Sequence, residues 1–196
     1  RSTQWVSSAA SDVYKRQVYV WPITEATSEK VTYGEVIRVP GAVSLSLEAS
    51  GDSNPFYADD MIYWNQYSNN GYEGELEIAL IPEEFEVQIL GYLKDKNGAV
   101  VESNSSKAKN YAMAFEFDGD VTQTRHLFYN CSSSRPNIEG ATTEDKTEPQ
   151  TDTINITTAP AADTGYVKAR LEKGQTGYDT FFTTPYKVTP ETGAEA

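Results

Sequence analysis

The chain has one cysteine and one histidine in 196 residues. A lone Cys131 cannot close an intrachain disulfide. This excludes the cross-linked framework of small secreted domains and leaves no cysteine argument for secretion. With no histidine cluster and no CxxC pair, the sequence has none of the usual zinc-ligand spacings. The remaining nucleophile–base pairing is Cys131 with His126. The two are five residues apart in one expected strand, which predicts side chains on opposite faces and rules the pair out as a catalytic unit. His126 then reads as a packed or exposed strand residue. No apolar run approaches the roughly 20 residues of a membrane-spanning helix. The start also lacks the basic-then-apolar layout of a signal peptide. Positive charge is scarce as well: 16 Lys and Arg face 29 Asp and Glu, a net charge of −13. Such a surface does not attract nucleic acid by counterion release. It excludes DNA as a tightly held ligand, though not as a cargo that slides past.

What the chain does have is aromatic residues, 13 Tyr and 3 Trp among them. Rings of this kind build protein–protein contacts, and they also suit a β-rich domain. Both readings stay open on composition. The length suits one domain. The most legible stretch is Gly71 to Gly91. Tyr72, Leu76, Ile78 and Leu80 are expected on one face of a strand, and Glu73, Glu75 and Glu77 on the other. Pro82 ends that strand and suits the first position of a helix over about 82–91, with Glu83 and Glu84 favoured in its first turn and Gly91 closing it. Elsewhere, Val18–Ile23 predicts a short edge strand broken by Pro22. Val43, Leu45 and Leu47 alternate with polar residues, as do Tyr111, Met113, Phe115 and Phe117. Asp118-Gly119-Asp120 reads as a hairpin turn into Thr124–Cys131, and Thr151–Thr158 and Tyr166–Leu171 as further strands. Residues 49–70 read as a long, aromatic-rich loop, a kind of segment that is usually functional when ordered. A helical turn near Tyr178–Phe182 is also compatible with the pattern. Seven or eight strands with one helix predict a mainly β fold, a two-sheet sandwich or barrel with one flanking helix. The domain is expected over residues 18–188, with a flexible tail over 189–196. Ser7 to Gln17, SSAASDVYKRQ, resembles the in-frame translation of a sequencing adapter, so residues 1–17 are expected to be non-native and disordered.

No constellation of catalytic side chains emerges. Asp118-Gly119-Asp120 has two carboxylates of a calcium loop without the rest of the pattern. Asp59-Asp60 is a second loop pair, best read as solvated. Carboxylate pairs leave a glycosidase open by residue type, but no spacing separates an acid from a nucleophile. Asn155-Ile156-Thr157 matches a glycosylation sequon, a pattern frequent by chance. The row Glu73, Glu75, Glu77 is spaced about 7 Å apart in a strand. It is either a solvated sheet face or a wall that repels a polyanion.

Several blocks, in order, carry a resemblance. They are KVTYG (30–34), PGAVSLSLE (40–48), FYADD (56–60), NNGYEGELEIALIPEEF (69–85), YAMAFEFDGD (111–120), TRHLFYNCSSSRP (124–136) and EPQTDT (148–153). Together they resemble the major tail proteins that form the tail tube of long, flexible-tailed bacteriophages. The resemblance implies a β-sandwich or barrel flanked by a helix. It also implies hexameric rings stacked into a tube for genome passage, residence in the virion, other tail proteins as partners, no cofactor, no metal and no catalytic residue. Within that expectation, Phe56, Tyr57, Tyr63, Trp64 and Tyr67 are the candidate contacts to a neighbouring ring. Glu73, Glu75 and Glu77 are the candidate lumen-facing row. Two other functions compete: a carbohydrate-binding β-sandwich with Trp64 and tyrosines as its platform, and a carboxylate-based hydrolase.

Overall fold

The computed structural model describes residues 18–58, 61–117, 119–137 and 151–189, with backbone alone over 53–58 and 61–66. Residues 1–17, the adapter-like segment among them, and 190–196 of the expected tail lie outside the described residues, as do Asp59-Asp60 and Asp118. The strands in chain order are β1 (Val18–Ala26), β2 (Val31–Tyr33), β3 (Ile37–Val39), β4 (Ala42–Ser50), β5 (Ser53–Ala58), β6 (Met61–Tyr67) and β7 (Gly71–Ile78). After helix α1 (Glu83–Gln88) come β8 (Leu93–Lys94), β9 (Val100–Val101), β10 (Tyr111–Glu116), β11 (Arg125–Ser133), β12 (Asp152–Thr158) and β13 (Lys168–Leu171). Every pairing is antiparallel. The fold is therefore mainly β with one short helix, as expected.

The main sheet runs β2-β1-β10-β11-β12-β7-β4, with β3 also on β1 and β13 also on β11. Two stretches serve both halves of this sheet. β11 pairs with β13 over Arg125–Phe128 and with β12 over Cys131–Ser133. β3 and β4 lie on β1 and β7 respectively, although only Pro40-Gly41 separates them. The sheet consequently wraps one apolar core. Val20, Ile37, Ile78, Met113, Ile154 and Ile156 each point into it and are essentially inaccessible. Helix α1 closes this core through Phe85, with Ile89 just beyond its last turn. Full burial of a phenylalanine contributes about 1.5–3 kcal/mol.

A second apolar layer covers the outer face of β1, β10, β11 and β13. Trp21, Ala112, Ala114 and Leu127 meet Tyr178 and Phe181 from the segment after β13. That segment is a run of turns, not a helix: Phe181 N–H bonds to Tyr178 O and Thr183 N–H to Thr180 O. It is pinned by Arg125, whose guanidinium lies 3.8 Å from the Tyr178 ring centroid and 4.3 Å from that of Phe182. The same side chain donates to the Tyr178 carbonyl and pairs with Glu116 at 3.1 Å. Arg125→Ala removes two cation–π contacts and leaves Glu116 half-buried without its partner. The expected cost is about 2 kcal/mol, read in urea unfolding, with faster proteolysis after residue 172.

Several sequence expectations need correction. The segment 49–70 is not a loop but a β-hairpin, β5–β6, joined by two residues between paired Ala58 and Met61. Pro55 and a bulge between Phe56 and Tyr57 obscure its alternation. Helix α1 is shorter than 82–91, and Pro82 precedes it as an extended cap (φ −66°, ψ 139°). Leu80 lies beyond the end of β7 and is 73% exposed, so it leaves the face of Leu76 and Ile78. β1 is no edge strand: β10 lies on one side and β3 and β2 share the other. Pro22 sits where β3 hands over to β2, and its carbonyl accepts a bond from Gly34 N–H at 2.7 Å.

Candidate functional site

The acidic row is positioned by three strands in register. Glu73, Glu75 and Glu77 pair with Thr157, Asn155 and Thr153 of β12 on one side. On the other they pair with Glu48, Ser46 and Ser44 of β4. Strand alternation puts these nine residues on the face opposite Leu76, Ile154 and Ile156. None of the nine is basic. The face is open: Glu73, Glu75 and Glu48 are exposed and Glu77 half-buried. Glu77 accepts hydrogen bonds from Thr151 at 2.7 Å and Ser44 at 2.9 Å, which hold its carboxyl below the usual carboxylate range. Glu73 stands directly opposite Glu48, a like-charge pair that costs stability. Sequence reasoning misses Glu48 because its partner strand is 25 residues away; only register makes it part of the row.

The ladder of β4 and β7 does not stop at Ser50 and Gly71. Asn70 N–H bonds to Ser50 O at 2.9 Å, Ser68 N–H to Asp52 O at 2.9 Å, and Asp52 N–H to Ser68 Oγ at 2.8 Å. The ladder thus runs on into β5 and β6, forming a continuous two-stranded arm. At about 3.3 Å per residue each strand of the arm is ~20 Å long. Its strands are in broad contact with each other and with no other element. Phe56 is the register partner of Trp64, Tyr57 of Ile62, and Tyr63 is the extra residue at the bulge. Tyr67, at the base, is 73% exposed. The side chains of Phe56, Tyr57, Tyr63 and Trp64 lie outside the described residues.

The single histidine and cysteine form no reactive unit, though not for the reason their spacing suggests. A one-residue slip in the β10–β11 register, between Phe128 and Cys131, returns Cys131 to the core face that Phe128 occupies. His126 stacks on core residue Phe115 at 5.4 Å, so both side chains share that face. Their separation along the strand, about 16 Å, keeps them apart. Burial pushes the Cys131 thiol far up, and burial with the charges of Lys168 and Arg170 pushes His126 down. A thiol held protonated in an apolar core is inert. Asp120 accepts bonds from Thr122 and from the Thr124 N–H at 2.9 Å, which lower its carboxyl strongly. It therefore organises its own turn. Among the described residues no three His, Cys, Asp or Glu side chains are grouped to hold a metal ion.

Among the described residues, β4 and β2 end the main sheet, a two-stranded arm continues from β4 and β7, and one sheet face is anionic. The chain belongs to the phage tail tube protein family, whose profile matches residues 15–176. It is a structural protein of the phage tail and hence a virion component. No curated protein matches the sequence. One solved structure, titled "Cryo-EM structure of the anti-feeding prophage (AFP) baseplate, 6-fold symmetrised", is similar over 89% of this chain and 100% of that one, with 9% identity and a TM-score of 0.39. A likeness that low is uninformative about function.

Proposed function

We propose that this chain assembles with copies of itself into hexameric rings, and that the rings stack into the tube of a long, flexible tail through which DNA leaves on ejection. The arm carries this reading. A two-stranded ribbon is marginal by itself in water, and the strands of this one are in broad contact only with each other. A neighbouring ring supplies the missing surface, with Phe56, Tyr57, Tyr63, Trp64 and Tyr67 as the contacts. β4, the last strand of the main sheet, has no partner on its outer edge among the described residues and offers that edge for lateral joining within a ring. Such a contact is head-to-tail and closes by rotation.

The face bearing Glu73, Glu75, Glu77 and Glu48 lines the lumen. Like charges held in cross-strand register lower stability, so their gain lies outside folding. A DNA polyanion passing an anionic wall finds no cation to release counterions against and does not stick. Purified chain lacking residues 1–17 is expected to form six-fold rings and tubes, visible by electron microscopy, with these carboxylates on the inner wall. A persistent monomer overturns the assembly reading. Tubes with the carboxylates outside overturn only the lumen assignment.

A further inference from the structure

A groove of about 570 Å³ lies between β2 and the segment that follows β13. Trp21, Val31, Phe181 and Tyr186 give it an apolar lining, and Lys30 and Lys187 also line it. No carboxylate does. On a chain of net charge −13 that combination stands apart. Both lysines are exposed, and neither has an ion-pair partner among the described residues. Thr32 lines the same groove, and its hydroxyl is buried with no hydrogen-bond partner.

We propose that this groove is the socket for the β5–β6 arm of a second copy, an assignment that rests on the assembly into stacked rings. The complementarity is chemical. Residues 51–70 carry Asp52, Asp59 and Asp60 and no Lys or Arg, and their apolar residues include Phe56, Met61, Ile62 and Trp64. The groove offers the reverse: an apolar lining with two ammonium groups. Its volume is that of a site taking several side chains at once. Arm carboxylates meet Lys30 and Lys187, and the aromatic side chains cover the apolar lining. The ionic part of the contact weakens with salt, because both lysines are exposed. The contact joins different surfaces of two copies, so it propagates along an axis instead of closing a dimer.

The test uses the chain from residue 18 onward. The K30E/K187E variant is expected to raise the concentration needed for tubes at least tenfold, by sedimentation and negative-stain microscopy. Adding D59K/D60K to that variant is expected to restore assembly to within about threefold. A photo-crosslinking residue at Thr184, in an equal mixture of isotope-labelled and unlabelled chains, reads the contact without charge changes. Crosslinks between copies are expected within residues 51–70. Tubes from K30E/K187E at the ordinary concentration, or crosslinks confined to other segments, overturn the socket and leave the assembly reading standing. A chain that never assembles overturns both.

Discussion

Gly74→Val is expected to detach β4 from β7 and to lower stability by at least about 3 kcal/mol, within the range of strong overpacking and backbone strain. Gly74 lies in mid-strand, opposite Leu47 on one side and Ile156 on the other. A Cβ built on it would sit 1.8 Å from the Ser46 carbonyl oxygen and 2.9 Å from the Leu47 Cα. Both are backbone atoms, so no side-chain rotation relieves the clash. Either β4 moves away or β7 bends. Moving β4 takes Leu45 and Leu47 off the core and breaks the register that aligns Glu48 with Glu73. Urea unfolding is expected to show the loss at an unchanged slope. The same variant is expected to fail in assembly, since β4 ends the main sheet and leads into the arm. An unfolding midpoint equal to that of the parent chain would show that β4 gives way cheaply.

Deleting Phe56–Tyr67 is expected to have the opposite profile: stability kept, tubes lost. The cut leaves Asp52 and Ser68 joined through Ser53, Asn54 and Pro55, a length suited to a three-residue hairpin loop. The bonds between Asp52 and Ser68 and between Ser50 and Asn70 can then persist. No core residue of the main sheet is removed, and a shorter loop closes at no greater entropic cost. The thermal midpoint is expected within a few degrees of the parent. Tube formation is expected to vanish in electron microscopy, because the proposed inter-ring element is removed. Normal tubes from this variant would refute the arm as the inter-ring element.

The two variants touch parts of the chain that differ in legibility. The row Glu73, Glu75, Glu77 is visible in the sequence as a period of two, and β7 places it as that period requires. The interior positions Leu76, Ile78, Ile154 and Ile156 are legible for the same reason, since a strand with one buried face writes its orientation into its own alternation. β10 is only half legible. Ala112 and Ala114 look like an outer face, yet both are buried under the segment after β13. Small apolar residues do not distinguish a second buried layer from a solvated one. The arm reads as aromatic and ordered but not as strands. Its Pro55, its bulge and its Asp-Asp connection each depart from the usual hairpin signals.

Composition is legible in the sequence alone. With one cysteine the chain cannot close an intrachain disulfide, with one histidine and no CxxC pair it lacks the usual zinc-ligand spacings, and its excess of carboxylates gives a surface that does not attract DNA. Strand periodicity likewise needs only neighbours two residues apart. What only the tertiary structure decided are relations between distant residues. These are Glu48 opposite Glu73, Cys131 returned to the core face by a slipped register, Arg125 clamped by Tyr178 and Phe182, and Lys30 and Lys187 brought to one groove. Each depends on which strands pair and at what offset. That choice is made by the collective burial of one core, and local sequence does not encode it.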